Sequence, residues 1–173
     1  QLIACHETVG ISKVELFKKR FLRINPDLEV NAEHCYLTSE NITNFINEKV
    51  DFVIDAIDTV GPKVSLIEFC IKNKVNIISS MGAGGRVDPS MIKYCDIWET
   101  KEDGLARVVR QRLRKIGLRC KLPVVCSMEL PKRYSIIELN EENKRSSFGT
   151  LATIPSIFGI YLANYVIRKL TGI

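Results

Sequence analysis

The sequence predicts an α/β fold: a Rossmann-like, mostly parallel sheet flanked by helices, with a mixed C-terminal part and a long C-terminal helix. Three observations predict it. Short apolar runs at 51–57 and 75–80 flank a segment with helical spacing, the alternation expected of parallel strands joined by a crossover helix. The first run reaches Asp55 and Asp58, and the second opens into a glycine cluster followed by Arg86, so polar and permissive residues fall where the strands of an open sheet end. The 173 residues, 46% of them hydrophobic, suffice for one domain with a sizeable core.

Each element has its own warrant. Thr8 or Ser12 is placed to cap a helix whose Val14, Phe17, Phe21 and Ile24 recur at three- and four-residue spacing. Asn25-Pro26 ends it, because proline pushes the residue before it out of the helical region. Residues 28–37 read as a strand, and Ser39 as the cap of a short helix running through 48. The run DFVIDAI at 51–57 reads as a buried parallel strand. Pro62 stands where a first helical turn tolerates proline; the helix continues over 64–73, and 75–80 is the next strand.

Beyond the glycine cluster, 91–98 reads as a strand and 104–116 as an amphipathic helix with Leu105, Val108, Val109, Leu113 and Ile116 on one side. Residues 122–128 read as a strand, and the polar stretch NEENKRSS at 140–147 as a flexible loop. Residues 151–170 read as a long apolar helix interrupted by Pro155 and Gly159. Its length is that of a membrane span, but Asn164 and Arg168 bring polar groups into its second half. It is therefore read as a helix packed across the sheet or into a dimer interface rather than as a membrane contact.

Composition narrows the chemistry. The six cysteines form no C-x-x-C pair, so reduced thiols and a cytoplasmic setting are expected. His6 and His34 are too few and too scattered for a zinc site. The sequence begins at Gln1 rather than methionine, which reads as a fragment or a processed product. The net charge of +5 is localised: between Gly104 and Lys121 lie seven basic residues and no acidic one, so the remainder nets −2. Arg107, Arg110 and Arg114 recur opposite the apolar stripe, with Lys115 and Arg119 nearby, a footprint for nucleic-acid phosphates or an ordinary solvated helix face.

Asp58 at a strand end can hold Mg²⁺ or place a nucleotide phosphate through it, or can be a turn aspartate before Pro62. Lys13, in the first turn of its helix, can set an ammonium on a triphosphate, or be a solvated lysine beside Lys18 and Lys19. The glycines at 82, 84 and 85 mark unusual backbone or a close approach.

Together, ETVGISKVE (7–15), RINP (23–26), DFVIDAIDTVGPK (51–63), SMGAGGRVDP (80–89) and LATIPSIFGIYLANYVI (151–167) resemble the E1-like, ThiF-type adenylating enzymes. Within them, the GAGG-x-x-DP element and the basic helix with VVCSMELP downstream resemble the tRNA threonylcarbamoyladenosine dehydratases. The resemblance implies an ATP- and Mg²⁺-dependent activation of the threonylcarbamoyl carboxylate on adenosine 37 of tRNA, followed by ring closure and release of AMP. It implies that Lys13 contacts the ATP phosphates, that Asp58 holds the metal or phosphates, and that Gln1 lies beside the nucleotide as the glutamine of an N-R-Q element. It places Gly82, Ala83, Gly84, Gly85 and Arg86 on the substrate side and Arg107, Arg110, Arg114, Lys115 and Arg119 against tRNA. Partners implied are tRNA, a second copy of the chain and a helper protein of sulfur-transfer type.

The sequence departs from the family pattern in three ways. The first strand and its glycine-rich nucleotide loop, and the arginine before Gln1, are not in it, so 1–173 is expected to be a single, N-terminally truncated adenylation domain. Lys63 stands where the wider family has an arginine, a nucleotide contact with less capacity for a bidentate grip. No cysteine lies in 144–147, which disfavours a covalent thioester. Two other readings remain: an activator of the C-terminus of a ubiquitin-like or sulfur-carrier protein, or a truncated, inactive E1-like module for binding or dimerisation.

Overall fold

The computed structural model describes residues 2–47, 49–141 and 144–173, with the backbone alone for 133, 137–141 and 144–147. The chain divides into two compact units, Gln1–Leu37 and Thr38–Ile173.

In the first unit, helix α1 (Lys13–Ile24) forms as its spacing predicts, and the Asn25 N–H closes it on the Phe21 carbonyl at 2.9 Å. Phe17 and Phe21 stack along it, 5.7 Å between ring centroids. Neither expected cap acts as one. Ser12 precedes the helix without a side-chain cap, and the Thr8 hydroxyl turns back on its own loop, accepting the Cys5 N–H at 2.8 Å and donating to the Ile3 carbonyl. Residues 28–37 are not a strand: no ladder partner pairs with them among the described residues, and without one an extended segment has no hydrogen-bonded register.

The second unit is built on a four-stranded sheet in the order β1-β2-β4-β3. Strands β1 (Val53–Asp55), β2 (Ile77–Ser80) and β4 (Pro123–Ser127) run parallel, and β3 (Ile92–Asp96) runs antiparallel to β4, the expected mixed C-terminal part. Helix α2 (Val60–Lys72) crosses from β1 to β2, with Pro62 in its first turn. Strand β1 is parallel as expected and is an outermost strand among the described residues, where Ile54 is 46% exposed. The helix expected after Ser39 shrinks to one 3₁₀ turn at Ile42–Asn44, because the Asn41 side chain accepts the Thr38 N–H and competes with the backbone; position 48 lies outside the described residues.

Helix α3 (Gly104–Lys115) packs beside α2 and buries Ala106, Val109 and Leu113. Ile116 falls off the stripe: it is the C-cap residue and is 43% exposed. Helix α4 (Thr153–Thr171) covers the other sheet face, where Ile154, Phe158 and Leu162 join Ile78, Ile92 and Val125 in one core. Residues 153–171 run as one helix, without the expected interruption. Pro155 sits in the first turn, where no intrahelical N–H is lost, and Gly159 is simply carried inside. No described helix is long and apolar enough to cross a membrane.

The polar stretch expected as a loop is mostly a hairpin. Strands β5 (Ile136–Glu141) and β6 (Lys144–Phe148) pair antiparallel, Ile136 opposite Phe148, with 142–143 outside the described residues. Its polar residues carry no alternation of apolar and polar to announce a strand; backbone pairing supplies the register instead.

Candidate adenylation rim and basic helix

Asp55 ends β1 fully inside the protein, 1% exposed. Its Oδ1 accepts the Ile57 N–H at 2.9 Å, and its Oδ2 accepts the Lys63 ammonium at 2.7 Å and the Ser79 hydroxyl at 2.5 Å. The Lys63 side chain is 0% exposed, and burial pushes its pKa below the ordinary lysine value against the opposing pull of Asp55. Lys63, expected at a nucleotide, thus spends its charge on Asp55. Burial, and then the charge of Asp55, also push the Cys70 thiol up to about 11, which leaves it protonated and inert.

Asp58 lies three residues further on, exposed, at the mouth of a cavity of about 800 Å³. The cavity runs from 56–58 past Ser80, Met81 and the glycine cluster to α4, where Phe158, Gly159 and Leu162 form an apolar wall. This is the carboxyl end of β1 and β2, where an open sheet takes its ligands.

The glycine cluster is shaped by protein contacts. Asp103 accepts the Gly82 N–H at 2.9 Å. A Cβ on Gly84 would lie 2.7 Å from the Phe148 Cβ, and one on Gly85, which has φ +72°, would lie 2.8 Å from the Phe148 ring. The cluster lets the β5–β6 hairpin close on the rim, and the Gly85 N–H donates to the Gly149 carbonyl at 2.9 Å. Arg86, expected on the substrate side, is 2% exposed, although it lines the cavity wall. Its guanidinium donates to the carbonyls of Gly82, Glu102 and Glu129 and pairs with Asp103 at 3.3 Å, which ties the loop to two other segments.

Two residues that sequence reasoning missed complete this clamp. The Asp103 carboxylate also accepts the Ala106 N–H at 2.8 Å and so caps α3; an aspartate directly before an amphipathic run was the available signal. Glu129 Oε2 accepts the N–H groups of Val87 and Asp88, both at 2.9 Å. Burial pushes the Glu129 pKa up, but those donors and Lys132 outweigh it and hold the carboxyl below its ordinary range. No local pattern marks Glu129, whose N–H donors on Val87 and Asp88 lie over forty residues away.

On α3, Arg107, Arg114 and Lys115 are exposed, as is Arg119 beyond the helix. Arg110 does not share that face freely: its Nη1 donates to the Thr100 hydroxyl and to the carbonyls of Ile97 and Thr100, which fastens the helix to the turn after β3. Arg114 stacks over Trp98, 5.3 Å from the ring centroid. A second cavity, about 690 Å³, is lined by Arg107 and Arg110 and shares Asp103, Gly104, Pro131 and Phe148 with the first. The two cavities therefore adjoin along those four residues.

Lys13 is exposed and is the first residue of α1, in the other unit; Gln1 lies outside the described residues. No group of three or more histidine, cysteine, aspartate or glutamate side chains that could hold a metal ion occurs among the described residues. A single exposed carboxylate such as Asp58 fits Mg²⁺ that arrives on phosphates, since that ion takes one or two protein carboxylates and completes its shell with phosphate and water.

Comparison with known proteins gives concordant matches. The model of the ThiF family matches residues 1–173. The tRNA threonylcarbamoyladenosine dehydratase of Bacillus subtilis is 35% identical over 178 residues, covering 98% of this chain and 70% of that protein. The enzyme of the same name from Escherichia coli K12 is 30% identical, with the same coverage of each. A crystal structure of the E. coli tRNA N6-threonylcarbamoyladenosine dehydratase in complex with ATP superposes with a TM-score of 0.89 at 29% identity, over 99% of this chain and 69% of that one. A complex of the same enzyme with AMP gives 0.87.

Proposed function

Because the chain belongs to the ThiF family, we propose that it is an ATP-dependent adenylating enzyme that converts N6-threonylcarbamoyladenosine at position 37 of tRNA to its cyclic form. The carboxylate of the threonylcarbamoyl group attacks the α-phosphorus of ATP, pyrophosphate leaves, and the acyl-adenylate forms. A nucleophile within the same modified nucleoside then attacks the activated carbonyl, the ring closes, and AMP leaves.

One observation carries this reading beyond the family. The cavity at Asp58 and the one lined by Arg107 and Arg110 share Asp103, Gly104, Pro131 and Phe148, which supports a nucleoside in the first whose polyanion follows α3. Asp58 would hold Mg²⁺ on the nucleotide phosphates, where the ion would neutralise charge at phosphorus. Lys13 is assigned to the ATP phosphates on the family resemblance and its place at the start of α1. The apolar wall of Phe158 and Leu162 suits a nucleobase and excludes water that would hydrolyse the adenylate. Exposed Arg107, Arg114, Lys115 and Arg119 are assigned to tRNA phosphates. Arg86 and the glycines shape the substrate side rather than bind it through their own side chains.

The test is direct. The purified protein is incubated with ATP, Mg²⁺ and tRNA bearing threonylcarbamoyladenosine, and the nucleosides are read by mass spectrometry. Cyclic product with one AMP per turnover is expected, and its loss by about 10²-fold or more in Asp58→Ala. A folded wild-type protein that leaves the nucleoside unchanged would refute the assignment.

A further inference from the structure

We infer that the buried Lys63–Asp55 pair is a positioning device for the turn that carries Asp58; this rests on the reading of Asp58 given above. A salt bridge with both side chains 0% exposed is a poor stabiliser, since apolar residues of the same volume would avoid the desolvation cost. Its connectivity gives it another use. Asp55 lies three residues before Asp58 and Lys63 five after it, so the ion pair closes 55–63 into a loop with Asp58 on its exposed arc.

The carboxylate also fixes that loop from within and from beside. Its Oδ1 holds the Ile57 N–H, next to Asp58, and its Oδ2 holds the Ser79 hydroxyl on the neighbouring strand. One group thereby joins the end of β1, the first turn of α2 and β2 behind the mouth of the cavity. A carboxylate serves three donors through two oxygens. An amide there can keep the Ile57 N–H on its oxygen and turn its NH₂ to the Ser79 hydroxyl as donor, so neutralising the pair removes chiefly the charged bridge to α2. Lys63 acts through Asp55, not on the nucleotide.

The clamp is tested with the neutral pair Asp55→Asn/Lys63→Met, alongside Val109→Ala, a core truncation on α3 away from the cavity and 0% exposed. Three readouts are taken: melting temperature, hydrogen exchange of the 56–58 amides, and kcat and KM for ATP in cyclisation. The neutral pair is expected to fold, to exchange at 57 at least tenfold faster, and to lose at least tenfold in kcat. Val109→Ala is expected to lower the melting temperature while staying within about twofold of wild type in kcat. Lys63→Arg, which keeps the charge, is expected to recover protection at 57. Wild-type exchange and turnover in the neutral pair would overturn the inference, and so would failure of that pair to fold, since the ion pair would then serve the fold itself. If folded wild-type protein makes no cyclic product, the functional reading fails, and the exchange result alone decides whether the clamp exists.

Discussion

Asp103 holds Gly82 and the start of α3 with one carboxylate: Oδ2 accepts the Gly82 N–H at 2.9 Å and Oδ1 the Ala106 N–H at 2.8 Å. The glycine loop and the basic helix are thus set from one point, and Arg86 closes the figure at 3.3 Å. Removing the carboxylate should cost more than a helix cap. Asp103→Ala and Asp103→Asn both leave the buried Arg86 guanidinium without its counter-charge, and a loss of about 3–5 kcal/mol is expected of each in urea unfolding. A small loss in either would show that the charge on Arg86 is satisfied without Asp103.

The two glycines facing Phe148 should respond differently to its truncation. Gly84→Ala meets the Phe148 Cβ, which alanine retains, so Phe148→Ala should not rescue it. Gly85→Ala meets the ring, which alanine removes, so Phe148→Ala should recover part of its loss; the strain of φ +72° remains. Each single glycine variant is expected to lose about 1–3 kcal/mol, read by thermal or urea melts of the single and double variants.

The basic residues of α3 should divide into two kinds. Arg107→Ala and Arg114→Ala should weaken tRNA binding without unfolding the protein, each lowering the slope of log K against log salt by roughly 0.7–0.9 if it meets one phosphate. Arg110→Ala should instead show as a melting-temperature loss, because its guanidinium is bonded to Ile97 and Thr100. A filter-binding titration at several salt concentrations, beside thermal melts, separates them. Salt slopes unchanged by both Arg107→Ala and Arg114→Ala would remove α3 from the tRNA path.

Glu129 should give the rim an acid limit. Its folded pKa lies below the ordinary 4.5, because the Asp88 and Val87 N–H groups and Lys132 favour the carboxylate against burial. A depressed carboxylate contributes stability that is complete above the unfolded value and is lost as pH falls through the folded one. Melting temperature followed from about pH 6 to about pH 3 should therefore fall more steeply in wild type than in Glu129→Gln. Parallel curves would mean that the three partners do not discriminate the charged form.

The sheet and its helices were legible where a local pattern had one structural meaning. Val53–Asp55, Ile77–Ser80 and the crossover helix between them follow from two apolar runs and a first-turn proline. The same proline logic misled at Pro155, because its effect depends on where the helix starts, and Thr153 places it in the first turn. The rim residues were legible as types but not as orientations. Arg86 and Lys63 look like anion ligands in a linear sequence, yet their carboxylate partners Asp103 and Asp55 become visible only when the β2 loop meets α3 and when α2 folds back on β1. Residues 28–37 have the composition of a strand, but pairing is a property of two segments, and composition reports on one.

Gly159 sits within α4 on the cavity wall, and a Cβ built there meets nothing within 4 Å. Helices ordinarily favour alanine over glycine by about 0.5–1 kcal/mol at such a position, so a side chain added here works with the scaffold rather than against it. Its atoms would project into free space that the substrate is proposed to fill. Position 159 is thus a dial for aperture: alanine, valine and leucine in turn would shrink the chamber stepwise, sorting guests by bulk while leaving Asp58, at the other end of the cavity, untouched.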